Sequence, residues 1–426
     1  LKLGGKSYGL FLLFSCFVFG AFIRLFFLFQ PGFLEVFSWT AIIWCLVNYQ
    51  LQKQAKWLYF FGLVCGIGLL SKYTTAFFIT GLVGGIALSN QRNLFIKKEF
   101  YYAAIIAFLL FLPNLLWQYN HNFPVVAHMK ELRETQLVYI NPSEFIMGQL
   151  MMNLVVAFIW VTGLIKLLLS RKWKDFRWIG FTYFITIVLL IAGSGKDYYA
   201  LGLYPALFAF GAVHFDSLAV RWHKAFKVAL VAIPVALGIC ILPLGLPMFT
   251  PEKLANYYEK AGFREAMGFT WEDRENHPLP QDFADMMGWR EIAETTAKHY
   301  NALPDSTKAS TVVFCRGYYT AGALNYYGKT LGLPEAISTN GSYLWWIPKN
   351  LSFRHLMMVA HKDPDDDEIV FKHFEKRAVL DTIQLPYFRE NGIRVFFFEN
   401  GNDSMRYYVR ERIKMEKEKF TRNAKK

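Results

Sequence analysis

Residues 57–89 read WLYFFGLVCGIGLLSKYTTAFFITGLVGGIALS, an apolar run broken by a single charge, Lys72. As one helix at 1.5 Å per residue it would be about 50 Å long, and a bilayer's hydrocarbon core is only about 30 Å thick. The stretch therefore reads as two membrane helices that turn at Ser71-Lys72-Tyr73. A lone ammonium at the bilayer centre would cost at least about 2.5 kcal/mol, so the turn belongs at a membrane face. Lys72 is then either a loop marker or a site residue, and the side on which it falls bears on the choice.

Outward from this hairpin the pattern repeats. Nine apolar segments of spanning length occupy 9–29, 33–49, 57–70, 74–89, 101–117, 145–169, 178–192, 200–215 and 226–248. Between them, alternate loops are basic. They carry Lys2 and Lys6; Lys53 and Lys56; Arg92, Lys97 and Lys98; Arg171, Lys172, Lys174 and Arg177; Arg221, Lys224 and Lys227. With nine spans, every basic loop lies on one side. Loops 30–32, 71–73, 118–144 and 193–199, and everything after 249, lie on the other. Short cytoplasmic loops collect Lys and Arg, so the second set, Lys72 included, is expected outside the cytoplasm.

The acids divide the chain in the same place. Before Thr250 they are Glu35, Glu99, Glu131, Glu134, Glu144, Asp175, Asp197 and Asp216, and all others of the 33 Asp and Glu follow it. The expected organisation is a transmembrane domain of about nine helices over 1–249 and a soluble extracytoplasmic α/β domain over 250–426. The composition agrees, with 54% hydrophobic and 18% aromatic residues, above the soluble average. The net charge of +13 follows from the basic loops and gives no reason to expect a nucleic-acid partner. The five cysteines have neither metal-ligand nor redox-motif spacing and read as small apolar residues. The chain opens on Leu1 with no signal peptide before its first apolar segment, and on this reading it is a fragment lacking its true N-terminus.

The unusual polar residues gather on the expected outer side. Arg24 lies about four residues from the outer end of the first segment, where it either snorkels or lines a polar cavity. Glu35 follows Gln30-Pro31-Gly32; it is an ordinary helix N-terminal acid or a site residue. Loop 118–144 carries His121 and His128, as solvated side chains or metal ligands, and then mixed charges at helical spacing that predict a short surface helix. Gly193-Ser194-Gly195-Lys196-Asp197-Tyr198-Tyr199 joins two spans and is not a phosphate-binding P-loop. Lys72 and Lys196 are two cations on one face, as a phosphate lodged there would need. Asp197 either belongs with them or only pairs with Lys196.

After Thr250 the pattern is that of a small α/β domain. Helices are expected over 251–266, 289–300 and 320–331, and buried strands over 311–315, 356–360, 378–383 and 394–398, in a mixed or parallel sheet. The acidic run 363–368 reads as a solvated turn, and 406–426 as a charged helix with a basic tail.

Several stretches resemble the bacterial glycosyltransferase family 39 proteins, the dolichyl-phosphate-mannose protein mannosyltransferase-like group of GT-C membrane enzymes. They are Phe29-Gln30-Pro31-Gly32-Phe33-Leu34-Glu35-Val36-Phe37-Ser38-Trp39, Gly66-Ile67-Gly68-Leu69-Leu70-Ser71-Lys72-Tyr73, Leu112-Pro113-Asn114 with Trp117-Gln118, and Gly195-Lys196-Asp197-Tyr198-Tyr199 followed by Tyr204-Pro205. Gly322-Ala323-Leu324-Asn325-Tyr326-Tyr327-Gly328 and Leu333-Pro334-Glu335-Ala336 look typical of one bacterial branch. Each motif alone is weak, and their order and spacing together are more specific.

The resemblance implies a polytopic α-helical GT-C-like bundle in the bacterial inner membrane. It would transfer a sugar from a polyprenyl-phosphate carrier to an acceptor hydroxyl on a protein, lipid or glycan. The family's essential acidic motif, in a first external loop, has no counterpart in this sequence. On that reading about three spans precede the chain, the base is not among its residues, and the fragment would be inactive alone. A carboxylate would take the acceptor proton, and cations or a divalent metal ion would stabilise the leaving phosphate. Lys72 and Lys196 would be the phosphate partners. Glu35 would be the second acid or a metal ligand, and Arg24, Tyr73, His121, Asp197 and Tyr198 would hold substrate. The competing classes are a transporter or flippase of lipid-linked sugars, which would place ionisable groups near mid-membrane, and a non-catalytic membrane subunit.

Overall fold

The computed structural model describes residues 2–135, 137–219, 222–361 and 369–422. The acidic run 363–368, Gln136, Arg221 and the tail after Arg422 lie outside the described residues. The chain divides into two compact units, Leu1–His121 with Met129–Met248, and Asn122–His128 with Phe249–Lys426.

The first unit is a helical bundle. Its elements are α1 (Ser7–Val18), α2 (Phe22–Phe27), α3 (Gly32–Gln52), α4 (Lys56–Ser71), α5 (Thr74–Ala87) and α6 (Lys98–Asn120). They continue through α7 (Pro124–Thr135), whose first residues group with the second unit, to α8 (Pro142–Met151), α9 (Ala157–Leu169), α10 (Arg177–Ala192), α11 (Tyr204–Ala219) and α12 (Lys224–Gly245). All nine apolar segments are helical, and two of them are broken. Segment 9–29 breaks at Phe19–Ala21, and segment 145–169 bends by 63° between α8 and the turn leading into α9. Among the described residues, five helices are long and apolar enough to cross a membrane, and the bent pair makes a sixth. Helices α1, α4 and α5 have 12, 16 and 14 residues, shorter than the about 20 of a perpendicular span. The bundle is that of a multi-pass membrane protein.

Apolar burial does not drive helices together in lipid; close backbone approach does, and that requires small residues. The glycine spacing supplies it. A β-carbon at Gly62 of α4 would come within 2.3 Å of the Ala103 carbonyl oxygen of α6. At Gly81 and Gly85 of α5 it would meet Thr186 and Thr182 of α10 at 2.1 and 2.5 Å. Gly163 of α9 and Gly211 of α11 face each other's helix backbone the same way, both at 2.0 Å. Among polar groups, Asp216 accepts hydrogen bonds from the backbone N–H of Lys6 (2.8 Å) and Gly9 (3.0 Å). A buried acid of α11 thereby caps the start of α1.

The two loop sets separate to opposite ends of α3. At its C-terminal end Lys2 donates to Asn48, Gln50 donates to the Asp175 carbonyl, and Trp178 donates to Gln50. At its N-terminal end Ser71 donates to the Pro31 carbonyl, and Lys72 reaches Glu35. The two helix breaks also meet: the Ala21 N–H donates to the Met152 carbonyl at 2.8 Å. Gly20 lies against Asn153, which is fully buried and finds no partner for its amide among the described residues.

The second unit holds α13 (Pro251–Lys260), α14 (Phe263–Met267), α15 (Gln281–Ala284), α16 (Trp289–Asn301), α17 (Asp305–Lys308), β1 (Thr311–Cys315), α18 (Tyr318–Tyr327), α19 (Tyr343–Trp346), β2 (His355–Ala360), β3 (Lys376–Ile383), β4 (Ile393–Glu399) and α20 (Asp403–Arg422). The sheet is mixed, in the order β1-β2-β4-β3, with β1 and β2 parallel and the other pairs antiparallel. Side chains alternate between its faces. Val313, Met357, Val359, Val395 and Phe397 pack with Ile292 of α16 and Leu324 of α18, while Leu356, Met358, Phe396 and Phe398 pack with Met405 of α20. Every residue of β2 is buried, as expected for a strand covered on both faces. The segment expected as one helix over 251–266 is interrupted by Gly262, whose φ of +70° closes α13.

Candidate functional site

Helices α4 and α5 are joined by only Lys72 and Tyr73. Lys72 leaves the helix in an extended conformation (φ −159°, ψ 133°), and its N–H still bonds to the Gly68 carbonyl. This turn aims the Lys72 side chain across the bundle end at the first turn of α3. There its ammonium donates to Glu35 Oε2 at 2.8 Å. The Thr74 hydroxyl donates to the other carboxylate oxygen. The Glu35 side chain is 4% exposed and that of Lys72 is 22%. The pair thus sits in the wall of the bundle, with the cation closer to solvent.

The short helix that follows Lys196 (Asp197–Leu203) closes the other side. The ammonium of Lys72 lies 3.9 Å from the centroid of the Tyr199 ring and 5.1 Å from that of Tyr198. The two rings meet edge to face at 4.8 Å. Asp197 accepts from the Tyr198 N–H at 2.7 Å, and its carbonyl accepts from Gln149 at 3.0 Å. A β-carbon at Gly148 would lie 2.4 Å from the Asp197 carboxylate, so only glycine lets α8 approach this turn. Lys196 is half-buried at the head of the same turn.

The remaining expected residues make contacts with other partners. The Tyr73 hydroxyl donates to Asn114 at 2.7 Å and accepts from Gln118 at 3.2 Å, which commits it to α6. His121 stacks on Trp117 at 4.4 Å, one turn back on α6, with Nδ1 2.8 Å from the Trp117 carbonyl oxygen. Arg24 is in the last turn of α2, with its backbone beside Gly245 of α12. Lys130, Arg133 and Glu134 line a cleft together with Ser194, so loops 118–144 and 193–199 converge.

Thr74, Tyr199 and Gln149 were not singled out from the sequence. Thr74 directly follows a motif residue, and Tyr199 closes the Gly195–Tyr199 motif without having been given a role there. Gln149 lies in a run without any distinguishing pattern.

The donor set at Glu35 does not suit a divalent cation. Both carboxylate oxygens are engaged, one by the Lys72 ammonium and the other by the Thr74 hydroxyl. Among the described residues, the grouping of three potential ligands is elsewhere, at Asp273, Glu275 and His277. There His277 bonds to Asp273 at 2.8 Å and stacks on Trp271 at 3.5 Å, which accounts for it as a turn.

A family model described as dolichyl-phosphate-mannose-protein mannosyltransferase matches residues 3–117. No curated protein and no solved structure matches the chain. The matched stretch holds Glu35, Lys72, Tyr73, Thr74 and Asn114; Gln149 and Asp197–Tyr199 come after it. Residues 3–117, about a quarter of the chain, are thus similar to the dolichyl-phosphate-mannose-protein mannosyltransferase family, and they build part of a multi-pass helical bundle.

Proposed function

We propose that the Lys72 end of the bundle binds the phosphate of a polyprenyl-phosphate sugar and supports transfer of that sugar to an acceptor hydroxyl. The observation that carries this reading is the Glu35–Lys72 pair, with Tyr199 and Tyr198 over the ammonium. A cation at the rim of a membrane bundle, held by a more deeply buried carboxylate, suits a phosphate arriving from the lipid. In the reaction the acceptor oxygen bonds to the anomeric carbon, and the bond from that carbon to the phosphate oxygen breaks. Lys72 stabilises the charge that develops on the departing phosphate. Glu35 holds Lys72 in place. The acceptor proton passes to the acidic residue that the family resemblance implies. Lys196 is the second phosphate partner, and Asp197, Tyr198, Tyr73 and His121 surround sugar or acceptor. The basic loops at the far end of α3 support a bacterial inner-membrane orientation with this site, and the residues after 249, outside the cytoplasm.

A transporter is the second reading. The two helix breaks that meet at buried Asn153 favour it, since broken helices often mark transport sites. The ionisable pair, however, is at the bundle end and not at the breaks.

The test is transfer from a radiolabelled polyprenyl-phosphate sugar in proteoliposomes of the full-length protein. Lys72→Ala alone strands Glu35 as a buried charge, so the double variant Lys72→Met with Glu35→Gln is measured beside it. Both should fall by at least about 100-fold. Unchanged transfer in the folded double variant would remove the pair from the site.

A further inference from the structure

Helix α18 of the second unit presents Tyr318, Gly322 and Tyr326 at positions i, i+4 and i+8, which share one face. The two tyrosines are separated along the axis by about 12 Å at 1.5 Å per residue. Tyr318 is 54% exposed and Tyr326 77% exposed. Between them the helix backbone is bare. A side chain starting at Gly322 would meet only the Tyr343 hydroxyl, at 3.6 Å. Tyr343 packs at 5.0 Å on Trp346, which is 66% exposed. The Tyr318 N–H donates to Asn340, and the Tyr318 ring lies over Gly341, so the loop before α19 is fastened across the first turn of α18. The result is a notch floored by backbone, ringed by aromatic side chains and walled by a hydroxyl.

Two features narrow what fits. From Trp289 to His361 the exposed large hydrophobic side chains among the described residues are Tyr318, Tyr319, Tyr326, Tyr327 and Trp346. All are aromatic and carry a hydrogen-bonding group; no exposed Leu, Ile, Val, Met or Phe accompanies them. An aliphatic partner helix would find no aliphatic surface to match. A pyranose has one face of C–H bonds that stacks on such rings and a rim of hydroxyls that bonds to their polar edges. In addition, α18 starts at the carboxyl end of β1 in the parallel β1–α18–β2 unit, where α/β domains commonly bind ligands.

We propose that this face of α18 is a saccharide-binding platform, with Tyr318 and Tyr326 stacking on two non-adjacent sugars of one neutral oligosaccharide and the Gly322 notch taking the sugar between them. It shares no residue with the Lys72 site, so it stands or falls independently of the transfer reaction.

The test is saturation-transfer NMR on the full chain in nanodiscs, with mannotetraose, maltotetraose and chitotetraose as probes. Saturation should pass to the ring protons of at least one probe. Tyr326→Ala and Trp346→Ala should each weaken binding by on the order of tenfold. Gly322→Leu should abolish it, with the circular dichroism spectrum unchanged. No transfer to any probe, or transfer unaffected by the Tyr326→Ala/Trp346→Ala double variant, would overturn the proposal. Another overturning result is quenching by brominated-acyl lipids of an emission component that Trp346→Phe removes, without a saccharide signal. That would assign the face to the membrane surface.

Discussion

Lys72, in the turn between α4 and α5, and Glu35, in the first turn of α3, are 37 residues apart, yet the Lys72 ammonium lies 2.8 Å from the Glu35 carboxylate. The two sides of the pair are unequal, since Glu35 is almost fully buried and Lys72 retains some access to solvent. Removing either partner should therefore have different consequences.

Glu35→Gln leaves an amide that still bonds to Lys72 and no buried charge. Its expected cost is kinetic: Lys72 is less firmly placed, and transfer falls about 10- to 100-fold. Lys72→Ala leaves a carboxylate in the bundle wall, and its expected cost in stability is about 3–5 kcal/mol. Thermal unfolding in detergent should show Lys72→Ala well below Glu35→Gln. Equal unfolding temperatures would mean that the carboxylate is hydrated when alone.

Tyr199 contributes its ring face to the ammonium, at 3.9 Å. Tyr199→Phe keeps the face and should preserve donor KM within about twofold. Tyr199→Leu forfeits a contact of about 0.5–2 kcal/mol and should raise donor KM severalfold. If the phenylalanine variant is as impaired as leucine, the hydroxyl is the functional group.

Gly85 and Gly84 are adjacent on α5 and should respond oppositely to alanine. A methyl at Gly85 would press on Thr182 and on the Trp178 carbonyl oxygen at 2.5 and 2.6 Å, where backbone cannot yield. Gly85→Ala is expected to destabilise the bundle by about 1–3 kcal/mol. At Gly84 the neighbour is the flexible end of Ile185, 2.9 Å away, and Gly84→Ala should change stability by less than about 1 kcal/mol. Unfolding temperatures of the two purified variants decide the matter.

Asp381 of β3 bonds to His299 of α16 at 2.9 Å, and this hydrogen bond holds the Asp381 carboxyl below the usual carboxylate range. A depressed folded-state value means that the contribution is complete above the unfolded value, about 3.9, and is lost as the pH falls through the lower folded one. The side chain is 36% exposed, so solvent screening keeps the contribution under about 1 kcal/mol. Asp381→Asn should lower the second unit's unfolding temperature slightly at neutral pH. The gap from the parent should close as the pH drops below about 4. A gap that widens in acid would assign the stabilisation to another group.

How much of this was legible beforehand depends on the range of the interaction. Hydropathy located the apolar helices of the first unit, because each apolar run must be satisfied locally in lipid, and charge spacing located α7. It missed the breaks at Phe19–Ala21 and Met152–Asn153, since an interrupted helix made of apolar residues has the same hydropathy as a whole one. The four strands were found to within two residues, but their order was not, as nothing in β4 announces that it lies between β2 and β3. Charge alternation separated the loops that meet near Glu35 from the basic ones. It could not say that Lys72 would take Glu35 while Tyr73 turned to Asn114, because that choice is made by the conformation of a two-residue turn. Asp216 appeared only as an uncommon acid; its role as the cap of α1 required a partner about 200 positions earlier.

The bond between Ala21 and Met152 has a bearing on biogenesis. An interrupted helix exposes backbone amides that hydrocarbon cannot satisfy, and here the first interruption is sealed by a carbonyl supplied by the second. The Ala21 amide therefore has its partner only once Met152, about 130 positions later, has been made, so the native course of the chain at the first break waits on the second.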